Sequence, residues 1–310
     1  MSVLNVENLK KSYGPLQAVA GASFSIESGE VFGLLGPNGA GKSTTINIIA
    51  TILQADAGEV SVSGIPISTS AAYKRMIGYV PQEISLSERL TARENLAFFG
   101  RLYDLSGAAL RAAVDEMLAN VGLADRANDL VETFSGGMKR RLNIAASLLH
   151  KPELILLDEP TAGVDPQARA FIFDMVERLA AQGRAILYTT HYMEEAQRLC
   201  KRTAIIDHGK ILAMGTLDEL VRLVKTKREL VIDAPNITQA VSEKVAASLG
   251  HAHWTLTDGA LHLNVQDGTP ILIQAATVCG ELGLSPTSLR IAEPTLESVF
   301  LELTGRALRD

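Results

Sequence analysis

The sequence predicts an α/β chain, in which a doubly wound core interrupted by a helical insert is followed by a smaller α+β domain. Three observations carry that expectation. An apolar run, Val31–Leu35, leads through a glycine-rich stretch into a helix-forming run at 44–53. A second apolar run, Leu154-Ile155-Leu156-Leu157, ends in Asp158-Glu159-Pro160, and strands alternate with helices from Ser135 onward. The pattern then changes after the polar run Lys225-Thr226-Lys227-Arg228, which sets the expected division into domains 1–224 and 225–310.

Taken in order, residues 1 to about 88 read as short strands plus the glycine loop and its helix, an N-terminal β-subdomain wrapped around the start of the core. About 89–134 reads as helices, including an amphipathic one at 91–103. This is the insert. A helix at 138–149, the strand ending at Asp158 and a strand Ala185–Thr190 resume the alternation. Beyond the boundary come a strand at 229–233, a helix at 237–249 and two alternating runs around Asp258-Gly259, a strong hairpin signal. A helix at 270–282, the strand Ser288–Ala292 and a helix at 296–303 complete β-α-β-β-α-β-α. That is the order of a ferredoxin-like split βαβ unit plus one helix. This half holds no chemical constellation, so its expected role is regulatory or dimer-stabilising.

Gly36-Pro37-Asn38-Gly39-Ala40-Gly41-Lys42-Ser43-Thr44 fits the P-loop pattern of a nucleoside triphosphatase, with a strand before it and a helix after it. Gly39 and Gly41 let the backbone turn its N–H groups around a β-phosphate, and the helix behind adds its positive end. Lys42 then reaches the β/γ-phosphates. The Ser43 hydroxyl and the Asp158 carboxylate complete a Mg²⁺ site, and Glu159 is the candidate base. No Asn-Lys-x-Asp run that would read guanine occurs, and Tyr13 precedes the loop where a ring could stack on adenine, which favours ATP. A lone Tyr13 would more often be a half-buried strand residue, so its assignment leans on its neighbours.

Between these two runs lies Phe134-Ser135-Gly136-Gly137-Met138-Lys139-Arg140-Arg141-Leu142. It resembles the signature motif of ABC-type ATPases, with Phe134 and Met138 replacing the commonest terminal residues around an intact Ser-Gly-Gly. The rest of that set follows in order: Gln82 after Tyr79-Val80-Pro81, Gly163-Val164-Asp165, and His191 after its strand. The resemblance implies a P-loop NTPase fold with a RecA-like core. It also implies a head-to-tail dimer with a second copy or a homologous ATPase, each Ser135-Gly136-Gly137 closing over the γ-phosphate held by its partner. Ser135 is equally a favoured N-cap, and the two roles are compatible. By resemblance His191 contacts the γ-phosphate, Asp165 shapes the dimer seam, Gln82 links magnesium to a mobile region, and the insert meets an integral membrane permease. Gly215-Thr216-Leu217-Asp218-Glu219-Leu220 and the segment 294–305 look like the ATPase subunits of drug-resistance, daunorubicin-type exporters.

Composition narrows the alternatives. With 47% hydrophobic and 21% charged residues in 310, the chain is of ordinary globular composition. No stretch approaches the ~18 consecutive apolar residues of a membrane span, and the N-terminus lacks a signal segment. The expected location is cytoplasmic, peripheral on the inner face of the cell membrane. Cys200 and Cys279 have neither disulfide nor zinc spacing, Asn236-Ile237-Thr238 without a secretory signal is an accidental glycosylation match, and His251-x-His253 lacks further ligands. A net charge of −6 argues against nucleic acid as a partner. The rival function is a soluble or regulatory ABC ATPase acting on a non-transport partner. A single glycine loop and the lack of sustained heptads disfavour its ribosome- and chromosome-acting forms.

Overall fold

Strands β1 (Ser2–Tyr13) and β2 (Leu16–Glu27) open the chain as an antiparallel pair of twelve residues each, longer than the short strands expected there. Their length follows from inward side chains that keep their alternation past several register shifts: Leu4, Val6 and Leu9 on one strand, Ala22, Phe24 and Ile26 on the other. The computed structural model describes residues 2–223, 228–251, 254–257, 259–265, 268–292 and 294–305. Outside them lie three marks of the sequence: the run Lys225-Thr226-Lys227, Asp258 of the hairpin signal, and His253.

The core sheet begins with β3 (Val31–Leu35), and the glycine loop leads from it into α1 (Lys42–Ile49). The helix expected at 44–53 thus starts earlier and stops earlier. Thr51 takes a positive φ of 65°, and the N–H groups of Ile52 and Leu53 both close back on the Asn47 carbonyl. Strands β4 (Ala57–Val62) and β5 (Ile65–Pro66) then join the first pair in a sheet of order β2-β1-β4-β5. Helix α2 (Ser70–Met76) and strand β6 (Ile77–Val80) return to the core.

The insert contains α3 (Ala92–Leu102) and α4 (Gly107–Asn120). Thr91 caps α3 reciprocally with Glu94, a capping box that fixes where the helix starts. Next come α5 (Gly136–Leu148), β7 (Leu154–Asp158), α6 (Pro166–Ala181), β8 (Ala185–Thr190) and α7 (Met193–Leu199). Strands β9 (Arg202–Asp207) and β10 (Lys210–Gly215) close a six-stranded sheet of order β10-β9-β3-β8-β7-β6, parallel except for β10. Strands β3, β7 and β8 are buried throughout. Ile155, Leu157, Ile186 and Tyr188 face one apolar layer that includes the insert and α5, while Leu154, Leu156, Ala185 and Leu187 face another that includes β1, β2 and α1. Burial on both faces is why these strands read as unbroken apolar runs. The parallel register sets Asp158 beside Thr189 and Leu35 beside Thr190, so the chain leaves all three strands along one edge. Ligand sites of such sheets lie at that edge.

The chain forms two compact units dividing between Leu217 and Asp218, earlier than the expected 224/225, so most of α8 (Leu217–Leu223) falls in the second. That unit contains β11 (Arg228–Asp233), α9 (Gln239–Ser248), β12 (Trp254–Thr257), β13 (Ala260–Val265), α10 (Gly268–Glu281), β14 (Ser288–Ala292) and α11 (Leu296–Thr304). Its sheet runs β12-β13-β11-β14 with every neighbour antiparallel, the arrangement of a ferredoxin-like split βαβ unit. Leu230, Ile232, Leu261 and Leu263 pack there on Val245 and Ala275 of α9 and α10, giving the unit a core of its own.

Candidate functional site

The loop from Gly36 to Gly41 turns at the edge where β3 ends. Asn38 and Gly39 are exposed at its tip, while Ala40, Gly41 and Lys42 are buried and Ser43 and Thr44 half-buried. Ala40 anchors the loop by accepting the Gly209 N–H at 2.9 Å. Gly41 is obligatory twice over: its φ is 107°, and a Cβ would lie 2.3 Å from the Ala18 carbonyl oxygen. It is also the N-cap of α1, and no side chain caps that helix. The orphan N–H groups of the first turn are therefore left to the positive end of the helix dipole, a ready anion site.

Behind the loop a cluster of charges sits at the ends of β7 and β8. The Lys42 ammonium donates to the Gly36 and Pro37 carbonyls at 2.8 and 3.1 Å and pairs with Glu159 Oε1 at 3.2 Å. Both residues are buried, so the pair offsets what would otherwise be two costly desolvated charges. The other oxygen, Glu159 Oε2, lies 3.1 Å from His191 Nδ1. Glu159 adopts φ 46°, rare for a non-glycine residue, and its N–H is held at the Thr189 hydroxyl, 3.1 Å away. That hydroxyl in turn donates to Asp158 Oδ1 at 2.7 Å, and Ser43 Oγ stands 3.4 Å from the same oxygen. Burial pushes the Asp158 carboxyl above the ordinary carboxylate value; the bonds from Thr189 and Ser43 pull it down, neighbouring Glu159 raises it, and Lys42 lowers it. A hydroxyl and a carboxylate meeting in this way are the hard oxygen donors that a magnesium ion takes, so the residues fit that metal.

The signature glycines are themselves the first turn of α5, which starts at Gly136 rather than 138, with Ser135 as N-cap accepting the Met138 N–H at 3.2 Å. A Cβ on Gly136 would meet nothing within 4 Å, whereas one on Gly137 would meet Ala168 Cβ at 2.6 Å and Asp165 Oδ2 at 3.3 Å. Asp165 caps α6 through the Ala168 N–H at 2.8 Å, so signature and Asp165 lie side by side. Gln82 is brought only as far as its backbone: Arg140 donates to the Pro81 and Gln82 carbonyls at 2.9 and 2.5 Å, while the Gln82 side chain is exposed. Tyr13, at the end of β1, is 47% exposed with Lys11 Nζ 5.8 Å from its ring centroid, leaving a ring face open to solvent.

Known proteins are similar to this chain over its whole length. It is 44% identical to the linearmycin resistance ATP-binding protein LnrL of Bacillus subtilis (strain 168), covering 99% of this chain and 100% of the relative. The chain belongs to the ABC transporter ATP-binding proteins. The ABC transporter family profile matches residues 19–162. The daunorubicin resistance ATP-binding protein DrrA3 of Streptomyces coeruleorubidus is 38% identical over 98% of this chain and 96% of its own. Among solved structures, a dimeric ATP-binding cassette, MJ0796 in a post-hydrolysis state with ADP and Pi, superposes with a TM-score of 0.63. That likeness has 28% identity and covers 69% of this chain and 98% of the cassette. This ABC protein is accordingly an ATPase. No helix among its described residues is long and apolar enough to cross a membrane.

Sequence reasoning passed over Thr189, the Arg140 clamp on the Gln82 backbone and the buried Glu195, which bond to the predicted site residues or to their neighbours in sequence. The two threonines that end the otherwise apolar run Ala185–Thr190 were a usable signal, because buried hydroxyls inside a core strand need partners. Glu195 gives none, since it stands next to Glu194 at the start of a short helix and reads as a solvated face.

Proposed function

We propose that this chain is the ATP-hydrolysing motor of an exporter, docked on a separate membrane permease and working as a head-to-tail dimer. The observation that carries the reading is the cluster around Glu159, whose two carboxylate oxygens lie 3.2 Å from Lys42 and 3.1 Å from His191, with Asp158 next to it in sequence meeting Ser43. ATP binds on the glycine loop, residues 36–44, with its phosphates on the uncapped N-terminus of α1 and its adenine against Tyr13. The Lys42 ammonium exchanges its carbonyl and Glu159 contacts for the β/γ-phosphates. Glu159, released from Lys42, polarises the attacking water, and His191 meets the γ-phosphate. Ser43 and Asp158 would hold magnesium, with the Gln82 side chain turning in from its exposed position, and the ion would supply charge neutralisation for the transferred phosphoryl group. Ser135, Gly136 and Gly137 act on the partner's γ-phosphate, with Asp165 at the seam.

Export is supported by full-length similarity to proteins named for linearmycin and daunorubicin resistance. The docking surface is supported by a groove of about 420 Å³ between the insert and the core, lined by Ile52, Lys74, Tyr79, Phe99 and Tyr103. Ile52 of that lining is exposed, as are Phe98 and Leu102, the sequence neighbours of Phe99 and Tyr103, an apolar set suited to a permease segment at the inner membrane face. The test is the mass of the Glu159→Gln protein with ATP and Mg²⁺ by light scattering. A shift from monomer to dimer that requires ATP is expected; a mass indifferent to ATP would remove the head-to-tail reading.

A further inference from the structure

A further carboxylate is buried at the end of β8, bonded to the residue before His191. Glu195, on α7, is 2% exposed and touches none of the residues assigned to phosphate or magnesium. Its Oε1 accepts the Thr161 hydroxyl at 2.6 Å. Its Oε2 accepts the Thr190 hydroxyl at 2.8 Å and the Tyr188 phenol at 3.0 Å. Arg169 of α6 brings its Nε, buried and otherwise without a hydrogen-bond partner, to 3.7 Å from Oε1.

The donors come from the two segments that leave the sheet edge. Thr161 stands two residues past Glu159 on the segment that continues to Asp165, and Thr190 stands immediately before His191. Thr190 Oγ also accepts the Tyr192 N–H at 2.9 Å, so the chain is pinned on both sides of His191. Three hydroxyls converge on one buried carboxyl group, each donating to it, and Thr190 does so while accepting the Tyr192 N–H. The Tyr188 phenol remains a neutral donor, because burial beside Glu195 pushes its ionisation far up.

We propose that Glu195 is a positioning residue for ATP hydrolysis, the buried carboxylate that holds the segment after Glu159 and the segment carrying His191 as one block. The proposal rests on the ATPase reading of that cluster. Glu159 and His191 must both be aligned with the γ-phosphate and the attacking water, and a loose segment on either side misplaces one of them; sub-ångström errors of that kind lower the rate of chemistry more than they lower substrate affinity. An arrangement that merely stabilised the core would lower the melting temperature and leave turnover per folded molecule alone.

Steady-state ATPase kinetics of the full chain decide between these. Glu195→Gln keeps the shape and removes the charge. Thr161→Val and Thr190→Val each remove one hydroxyl at nearly constant volume and keep the proposal testable if Glu195→Gln fails to fold. The expected result is a kcat about tenfold lower in Thr161→Val and Thr190→Val with an ATP KM within twofold of native, and no further loss when the two are combined with Glu195→Gln. Native kcat in a folded Thr161→Val protein, or losses that multiply in the combination, would overturn it. Glu159→Gln assayed alongside separates the two ideas: if it hydrolyses at the native rate the ATPase reading itself fails, and if it stalls while Thr161→Val is unaffected, only the role of Glu195 does.

Discussion

The protein carries two glycine-rich turns that open helices, and they are finished in opposite ways. At the P-loop the helix start is uncapped, and its first residue, Lys42, meets Glu159 while Asp158, Glu159 and His191 stand at the ends of β7 and β8. At the signature the helix start is capped by Ser135, Gly136 faces open space, and Gly137 is pressed against Ala168 and Asp165. The first gathers its charged side chains from within one chain. The second is an open turn on a rigid base, and in the proposed head-to-tail dimer the charge that meets it comes from the partner's nucleotide. In the proposed reading, a turn of the same composition becomes a catalytic pocket or half of an interface according to what the sheet places behind it.

The sharpest way to break that contrast is Glu159→Gln, which removes the central carboxylate charge and leaves the signature untouched. Turnover should fall by about 10²- to 10⁴-fold, the usual range for a general base, with ATP still bound. Lys42→Ala comes next: deleting charge-assisted bonds to the β/γ-phosphates should weaken ATP binding by roughly ten- to a hundredfold by calorimetry, and an unchanged affinity would dissolve the P-loop half of the comparison.

A smaller effect concerns pH. Burial raises the Asp158 carboxyl, so it takes up a proton at a higher pH than an ordinary carboxylate. Folding without metal therefore favours the protonated form: its stability contribution is full below the ordinary carboxylate value and is lost as the pH climbs through the raised one. Magnesium needs the ionised form, so Mg²⁺ affinity, measured by titration calorimetry with nucleotide present, should fall with acidification from above the ordinary carboxylate range. Asp158→Asn should abolish that pH dependence together with tight Mg²⁺ binding.

Ser135→Ala should give the smallest change in the isolated chain, a loss of about 1 kcal/mol from an N-cap seen as a lower melting temperature, with ATP affinity at the P-loop unaltered. A matching drop in ATP affinity of the monomer would mean that the two turns share one nucleotide within the same chain.

Much of this was legible because the demands are local. Gly41 must be glycine at its φ, the runs ending at Leu35 and Asp158 are apolar because both their faces are covered, and the hairpin and helices of the second unit follow two periodicities that any short window reveals. Local signals failed at the ends of elements. Helix α1 ends early through the left-handed Thr51, which no propensity for threonine announces, and α5 begins on the signature glycines because Ser135 caps it from one residue before.

The order of the motifs, the strand–loop–helix context of the phosphate loop and the family to which the chain belongs were all determined by sequence alone, since each rests on residue type and spacing. Tertiary structure alone decided the partners. Lys42 meets Glu159 across more than a hundred residues, Thr189 ties Asp158 to the Glu159 backbone, Arg140 grips the carbonyl of Gln82 instead of leaving that segment free, and Glu195 gathers hydroxyls from three positions. Hydrogen bonds and buried charges are satisfied by whatever the packed strands bring within about 3 Å, and that distance is set by sheet register, which a linear sequence does not display.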